Sequence, residues 1–122
     1  DLTVFPVSVM DFLGRTVQFS GGGYLRLYPE AFVRMGFAQN HAAGRAVMAY
    51  IHPREIDPGQ PRMPMPMAKS FKYYVGLDAC EGKLRRMLAR YRFGTVPAVL
   101  AEQPPLALRE LRGSELVPVT AA

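Results

Sequence analysis

The chain has 122 residues, 49% hydrophobic and 20% charged, with a formal net charge of +5 and a pI near 9.7. That length suits one small domain, and no apolar stretch reaches the roughly 18–20 residues needed to cross a bilayer, which excludes a membrane-spanning helix within it. The basic residues are scattered apart from one cluster at 83–92 (KLRRMLARYR), so the charge reads as a solvated or partner-docking face rather than a nucleic-acid footprint.

In chain order, 2–9 (LTVFPVSV) is β-branched and apolar but interrupted by Pro6, which predicts an edge strand or a strand end. A second short extended segment is expected at 16–20. It runs into SGGGYLR (20–26), where three glycines free φ and let the backbone pass close to another group. Residues 28–44 predict a helix, with Pro29 at its first position, Glu30 at the positive end of the dipole and Gly44 closing it. Phe32, Val33 and Phe37 share one apolar sector of that helix.

A short buried strand is predicted over 46–51 (AVMAYI), then a proline-rich loop over 52–70. Irregular loops of such length in a compact domain are commonly functional or mobile. Residues 71–77 (FKYYVGL) read as extended. Asp78 and Glu81 form a capping-box pattern opening a helix over 78–92, with Leu84, Leu88 and Tyr91 as its apolar stripe and Gly94 ending it. The chain is expected to divide into a domain, 1–101, and a tail, 102–122, with a short helix at 105–112. The alternation of strands and helices predicts an α/β arrangement with too few strands for a closed barrel. An exposed sheet edge would offer a second copy somewhere to pair.

The strongest chemical signal is His52, at the tip of the predicted strand and followed by Pro53. Sites in parallel α/β sheets collect where strands end, and an imidazole titrates close to working pH, so His52 suits an acid or base role. The same residue also suits a plain strand-end cap. Glu55 and Asp57 are placed to orient the imidazole or an arginine, or to cap the loop. The glycine segment lacks both phosphate-loop and dinucleotide patterns. Tyr24 and Arg26 would offer a stacking face and a positive fork to a sugar or carboxylate; a structural glycine turn accounts for them equally. His41, near a helix C-terminus, reads as structural. With two histidines, and a single Cys80 lacking any thiol partner, the chain cannot assemble a metal site by itself. The start at Asp1, with neither methionine nor a basic n-region, shows no signal peptide and suggests a piece of a longer protein. The compartment is left open.

Taken together, FPVSV, SGGGYLRLYP, AVMAYIHPREIDPGQPR and FKYYVGLDACEGKLRRMLARYRFGTV resemble the C-terminal portion of NodB-like polysaccharide deacetylases, carbohydrate esterases of bacteria. The resemblance is to the subgroup from exopolysaccharide loci with exosortase/PEP-CTERM systems, where this region is a domain of unknown function, and it covers roughly 2–97. It implies part of a distorted (β/α) barrel that is incomplete in this chain. It also implies a divalent metal, usually zinc, held by an aspartate and two histidines, with a second aspartate as base. Those groups belong to upstream motifs absent here, so no metal ligand is expected in this chain. The late histidine that protonates the leaving amine matches His52. The resemblance makes Tyr24, Arg26 and Arg54 candidates for the sugar groove, with Gly22, Gly23, Pro53, Glu55 and Asp57 in support. Arg54 departs from the aromatic residue common after His-Pro, and Val4 stands where a carboxylate often precedes Phe-Pro.

The expectation is therefore the C-terminal part of an N-deacetylase acting on an N-acetylated polysaccharide, inactive without the upstream half of its own domain. Two rivals belong to other classes. One is a carbohydrate- or partner-binding module without catalysis; the other is a basic interaction module acting through the 83–92 helix.

Overall fold

The computed structural model describes residues 5–102, and beyond them the backbone of Arg109–Arg112 and Glu115–Pro118. The first element is a hairpin of β1 (Val9–Phe12) and β2 (Arg15–Gln18), antiparallel, with Val9 opposite Gln18 and Phe12 opposite Arg15. Its two-residue turn places Leu13 and Gly14 at φ of 51° and 74°, the left-handed pair whose twist matches the strands it joins. The strand expected over 2–9 is therefore displaced toward the turn: residues 5–8 carry no strand, and 1–4 lie outside the described residues.

The glycine segment is a helix, not an open loop. α1 (Gly22–Leu27) starts directly after Gly21, and α2 (Glu30–Ala42) follows after Pro29, which caps it rather than occupying its first position. Gly44, at φ +67°, leaves α2 as anticipated. The strand predicted over 46–51 is absent. Tyr50 forms a single parallel bridge to Gly21, with the Tyr50 N–H donating to the Ser20 carbonyl (3.1 Å) and the Gly22 N–H donating to the Tyr50 carbonyl (2.7 Å). The ladder stops there because the neighbouring chain turns into α1 and offers no further extended edge.

A 3-10 turn spans Pro53–Ile56, and α3 (Met67–Tyr74) replaces the extended segment expected from residue 71. α4 (Leu77–Arg90) begins at Gly76, whose left-handed conformation separates it from α3; no side-chain capping bond forms there. A Cβ on Gly76 would collide with the Arg26 carbonyl, so the junction requires glycine. Glu81 is not a capping partner: its carboxylate accepts from Arg85 at 2.9 Å. α5 (Val96–Glu102) follows, and β3 (Arg109–Arg112) pairs antiparallel with β4 (Glu115–Pro118). The helix expected over 105–112 is a strand from 109; 105–108 lie outside the described residues.

One cluster forms the core: Met10, Phe19, Leu25, Val33, Phe37, Cys80 and Met87. Phe19 meets Phe37 edge-on with centroids 5.9 Å apart, and Phe37 stacks on Tyr91 at 4.3 Å. Gly36 lets α2 approach, since a Cβ there would lie 2.5 Å from the Phe19 ring. The buried stripe of α4 is Leu77, Cys80 and Met87, flanked by Leu84 and Tyr91; Leu88, expected in that stripe, faces solvent. Lys83, read as part of the basic cluster at 83–92, turns inward. Its Nζ donates to the carbonyls of Leu25 (3.0 Å) and Tyr28 (2.8 Å), closing the C-terminal end of α1. The chain is thus mixed α/β, and among the described residues its strands form two hairpins.

Candidate functional site

Because Tyr50 is bridged to Gly21, the start of α1 and the 3-10 turn lie side by side. The Glu55 N–H donates to the His52 carbonyl (2.9 Å), so His52 caps the turn and its side chain projects from a fixed backbone. A cleft of about 270 Å³ opens between these elements, lined by Gln18, Ser20, Gly22, Gly23, Tyr24, Tyr50, His52 and Glu55.

The imidazole sits at the lip of that cleft, half exposed. Its Nε2 is 2.5 Å from the Tyr50 hydroxyl, and the two rings meet edge to face at 4.5 Å. On the other side, Nδ1 is 3.9 Å from Oε1 of Glu55. The Tyr24 hydroxyl donates to Gln18 Oε1 (2.9 Å), which fixes the opposite wall.

Glu55 is 5% exposed, and its second oxygen accepts from Nε of Arg26, itself 7% exposed. Two buried charges are tolerable only when paired and further hydrogen-bonded. Arg26 meets that condition by donating from Nη1 to the carbonyls of Tyr73 (2.8 Å) and Val75 (3.1 Å), at the end of α3. Gly22 makes room for the carboxylate arm: a Cβ there would lie 2.6 Å from Cγ of Glu55. The close approach that the glycines signalled is therefore to a side chain of the protein.

His52, Tyr24, Gly22, Gly23 and Glu55 thus come together at one cleft. Arg26 lies beneath it, in the ion pair with Glu55, and not on the groove surface expected for it. Arg54 is stacked 4.5 Å over the Tyr73 ring and donates to the Tyr73 carbonyl at 3.3 Å, outside the cleft. Pro53 opens the turn, and Asp57 caps the following loop by accepting from the Gly59 N–H at 3.1 Å. His41 packs against Phe37 and Tyr91. Tyr50, Gln18 and Ser20 are among the cleft residues that the sequence reading missed. For Tyr50 a signal existed, because residues two apart in an extended chain face the same side.

Beneath the site, burial pushes the Cys80 thiol above its ordinary value, with Glu55 adding to the effect and Arg26 and Lys83 opposing it. Among the described residues no group of three or more His, Cys, Asp or Glu side chains could hold a metal ion. The arrangement offers a proton-exchanging imidazole with one carboxylate behind it, beside an aromatic and amide-lined wall suited to a polar ligand.

Comparison with curated proteins and with solved structures yields no significant match. The family described as Domain of unknown function (DUF3473) matches residues 1–101, most of the chain. The chain belongs to that family.

Proposed function

We propose that this chain is the C-terminal part of a metal-dependent polysaccharide N-deacetylase, and that it contributes the proton donor and part of the sugar groove. The observation behind this reading is the His52 imidazole at the cleft lip, between the Tyr50 hydroxyl and the Glu55 carboxylate. Amide hydrolysis needs a proton on the departing amine, since an amide anion is a very poor leaving group. His52 in its charged form supplies that proton from Nε2, the nitrogen beside Tyr50, with Oε1 of Glu55 lying 3.9 Å from Nδ1 on the other side of the ring. Tyr24 presents an aromatic face to a sugar ring, and Gln18 and Ser20 supply polar contacts along the same wall. The described residues do not fit a metal centre. The role assigned to this chain is therefore confined to proton delivery and sugar contact, and the (β/α) barrel around it would be completed by the upstream half of the same domain.

The test is acetate release from an N-acetylated oligosaccharide by the longer polypeptide supplied with zinc. His52→Ala is expected to lower kcat by about 10²-fold or more with substrate binding retained. Unchanged turnover would make His52 a structural cap. The second reading, a carbohydrate-binding module, is favoured by the polar and aromatic wall opposite His52. It predicts saccharide affinity that is indifferent to metal and to His52→Ala, with no acetate released.

A further inference from the structure

Arg26, Glu55 and His52 form a continuous line from the end of α3 to the cleft. The guanidinium holds one oxygen of Glu55 through Nε, and the other oxygen faces Nδ1 of His52 at 3.9 Å. Neither charged partner has room to swing away. Arg26 is clamped by the Tyr73 and Val75 carbonyls, and Gly22 lies against the arm of Glu55. Gly76 rests on the Arg26 carbonyl from the other side. On the far side of the imidazole, the Tyr50 hydroxyl stands 2.5 Å from Nε2.

We propose that Arg26 is a positioning residue for His52. By fixing Glu55 beside Nδ1, it keeps the proton of the neutral ring on Nδ1 and leaves Nε2 as the acceptor of the Tyr50 hydroxyl. Two facts of chemistry connect this to the role proposed for His52, on which the functional meaning of the inference rests. An imidazolium that gives up its Nε2 proton becomes the Nδ1–H tautomer, so the carboxylate favours the form left after donation. The ring nitrogen not engaged in chemistry sets the tautomer through its own hydrogen bond or charge partner. An arginine suits the task because its planar fork bonds a carboxylate and several carbonyls at once and stays charged throughout.

The experiment is nitrogen-15 NMR of this chain at a pH where its imidazoles are neutral. There are two histidines, and His41, packed on Phe37 and Tyr91, serves as an internal control of folding. In the wild type, Nδ1 of His52 is expected at the shift of a protonated ring nitrogen and Nε2 at that of a bare one. Glu55→Gln keeps the shape and removes the charge, and should move both nitrogens toward the opposite tautomer while His41 stays in place. Arg26→Lys restores a charge to Glu55 but not the fork on the α3 carbonyls. It should lower stability yet retain most of the wild-type nitrogen pattern. A wild-type ring protonated on Nε2 would overturn the proposal, as would a folded Glu55→Gln whose His52 shifts do not move. In either case Arg26 is a structural clamp alone. These shifts are read without any substrate, so they answer for Arg26 whether or not the longer polypeptide releases acetate.

Discussion

Residues 52–57 and residues 61–74 are neighbours in one proline-rich stretch, yet they are held by opposite means. In the first, Glu55 is 5% exposed and tied to Arg26, and the turn is pinned to α1 by the Tyr50 bridge. In the second, α3 has no buried residue, and Met67 and Phe71 are 89% and 63% exposed. The contacts that secure α3 gather at its C-terminal end, where Arg26 and Arg54 donate to its carbonyls and Arg54 stacks on Tyr73. Proline content alone thus says little about order. The first segment is fixed by one buried charge pair whose loss would leave an orphan charge. The second contributes a few exposed side chains whose loss costs little.

Breaking the first region should give the largest effect. Arg26→Ala leaves Glu55 buried and unpaired, and is expected to cost about 3–5 kcal/mol in urea denaturation, a large share of the about 5–15 kcal/mol that holds a typical domain together. A loss below about 1 kcal/mol would mean that Glu55 reaches water and the pair does not hold the turn. Gly22→Ala pushes a methyl group into the Glu55 arm and should cost about 1–3 kcal/mol by overpacking. Gly23→Ala, which meets nothing closer than 4.0 Å from the Arg26 guanidinium, supplies the matched control.

Cys80 sharpens the comparison through pH. Its thiol is raised above its ordinary value of about 9.0, chiefly by burial. The unfolded thiol ionises first as pH climbs, so the unfolded state holds fewer protons there and stability falls from about that value up toward the raised folded one. Cys80→Ala should remove this part of the alkaline loss, as measured by denaturation between pH 8 and pH 10. In the same range, alkylation of the native wild type should be slow, because the thiolate is the reactive form. An alkaline profile unchanged by Cys80→Ala would place the loss elsewhere. The smallest effect belongs to α3. Phe71→Ser on its exposed face should change stability by no more than about 0.5 kcal/mol, and a larger loss would show that α3 packs more tightly than its exposure indicates.

Two helices, α2 and α4, were the legible part of the fold. Phe32, Val33 and Phe37 announce α2, and the periodicity over 78–92 announces α4, although Leu88 falls outside the buried face. The errors share a cause. Phe71, Tyr73 and Val75 alternate and are rich in strand formers, so they read as extended, yet the helix had already begun at Met67. Nothing local signals that start, because its C-terminal end is secured by Arg26, more than forty residues earlier in the chain. Likewise an arginine after three glycines reads as a surface fork. Its burial depends on Glu55, 29 residues away, and no periodicity encodes such a pair. The place of His52 beside a cleft was legible because its strand-like approach and the following proline are local. Tyr50 was passed over as core, although the spacing of two already placed it beside the imidazole.

The central claim is that His52 gives its proton to a departing amine. The most direct measurement compares His52→Gln with the wild type, in the zinc-supplied longer polypeptide, on two acetyl substrates. One is an N-acetylated oligosaccharide, whose amine must be protonated; the other is an aryl acetate, whose phenolate leaves unaided. The account predicts a loss of about 10²-fold or more on the amide and little change on the ester. Equal losses on both substrates would contradict it, because His52 would then be holding the site together and not delivering the proton.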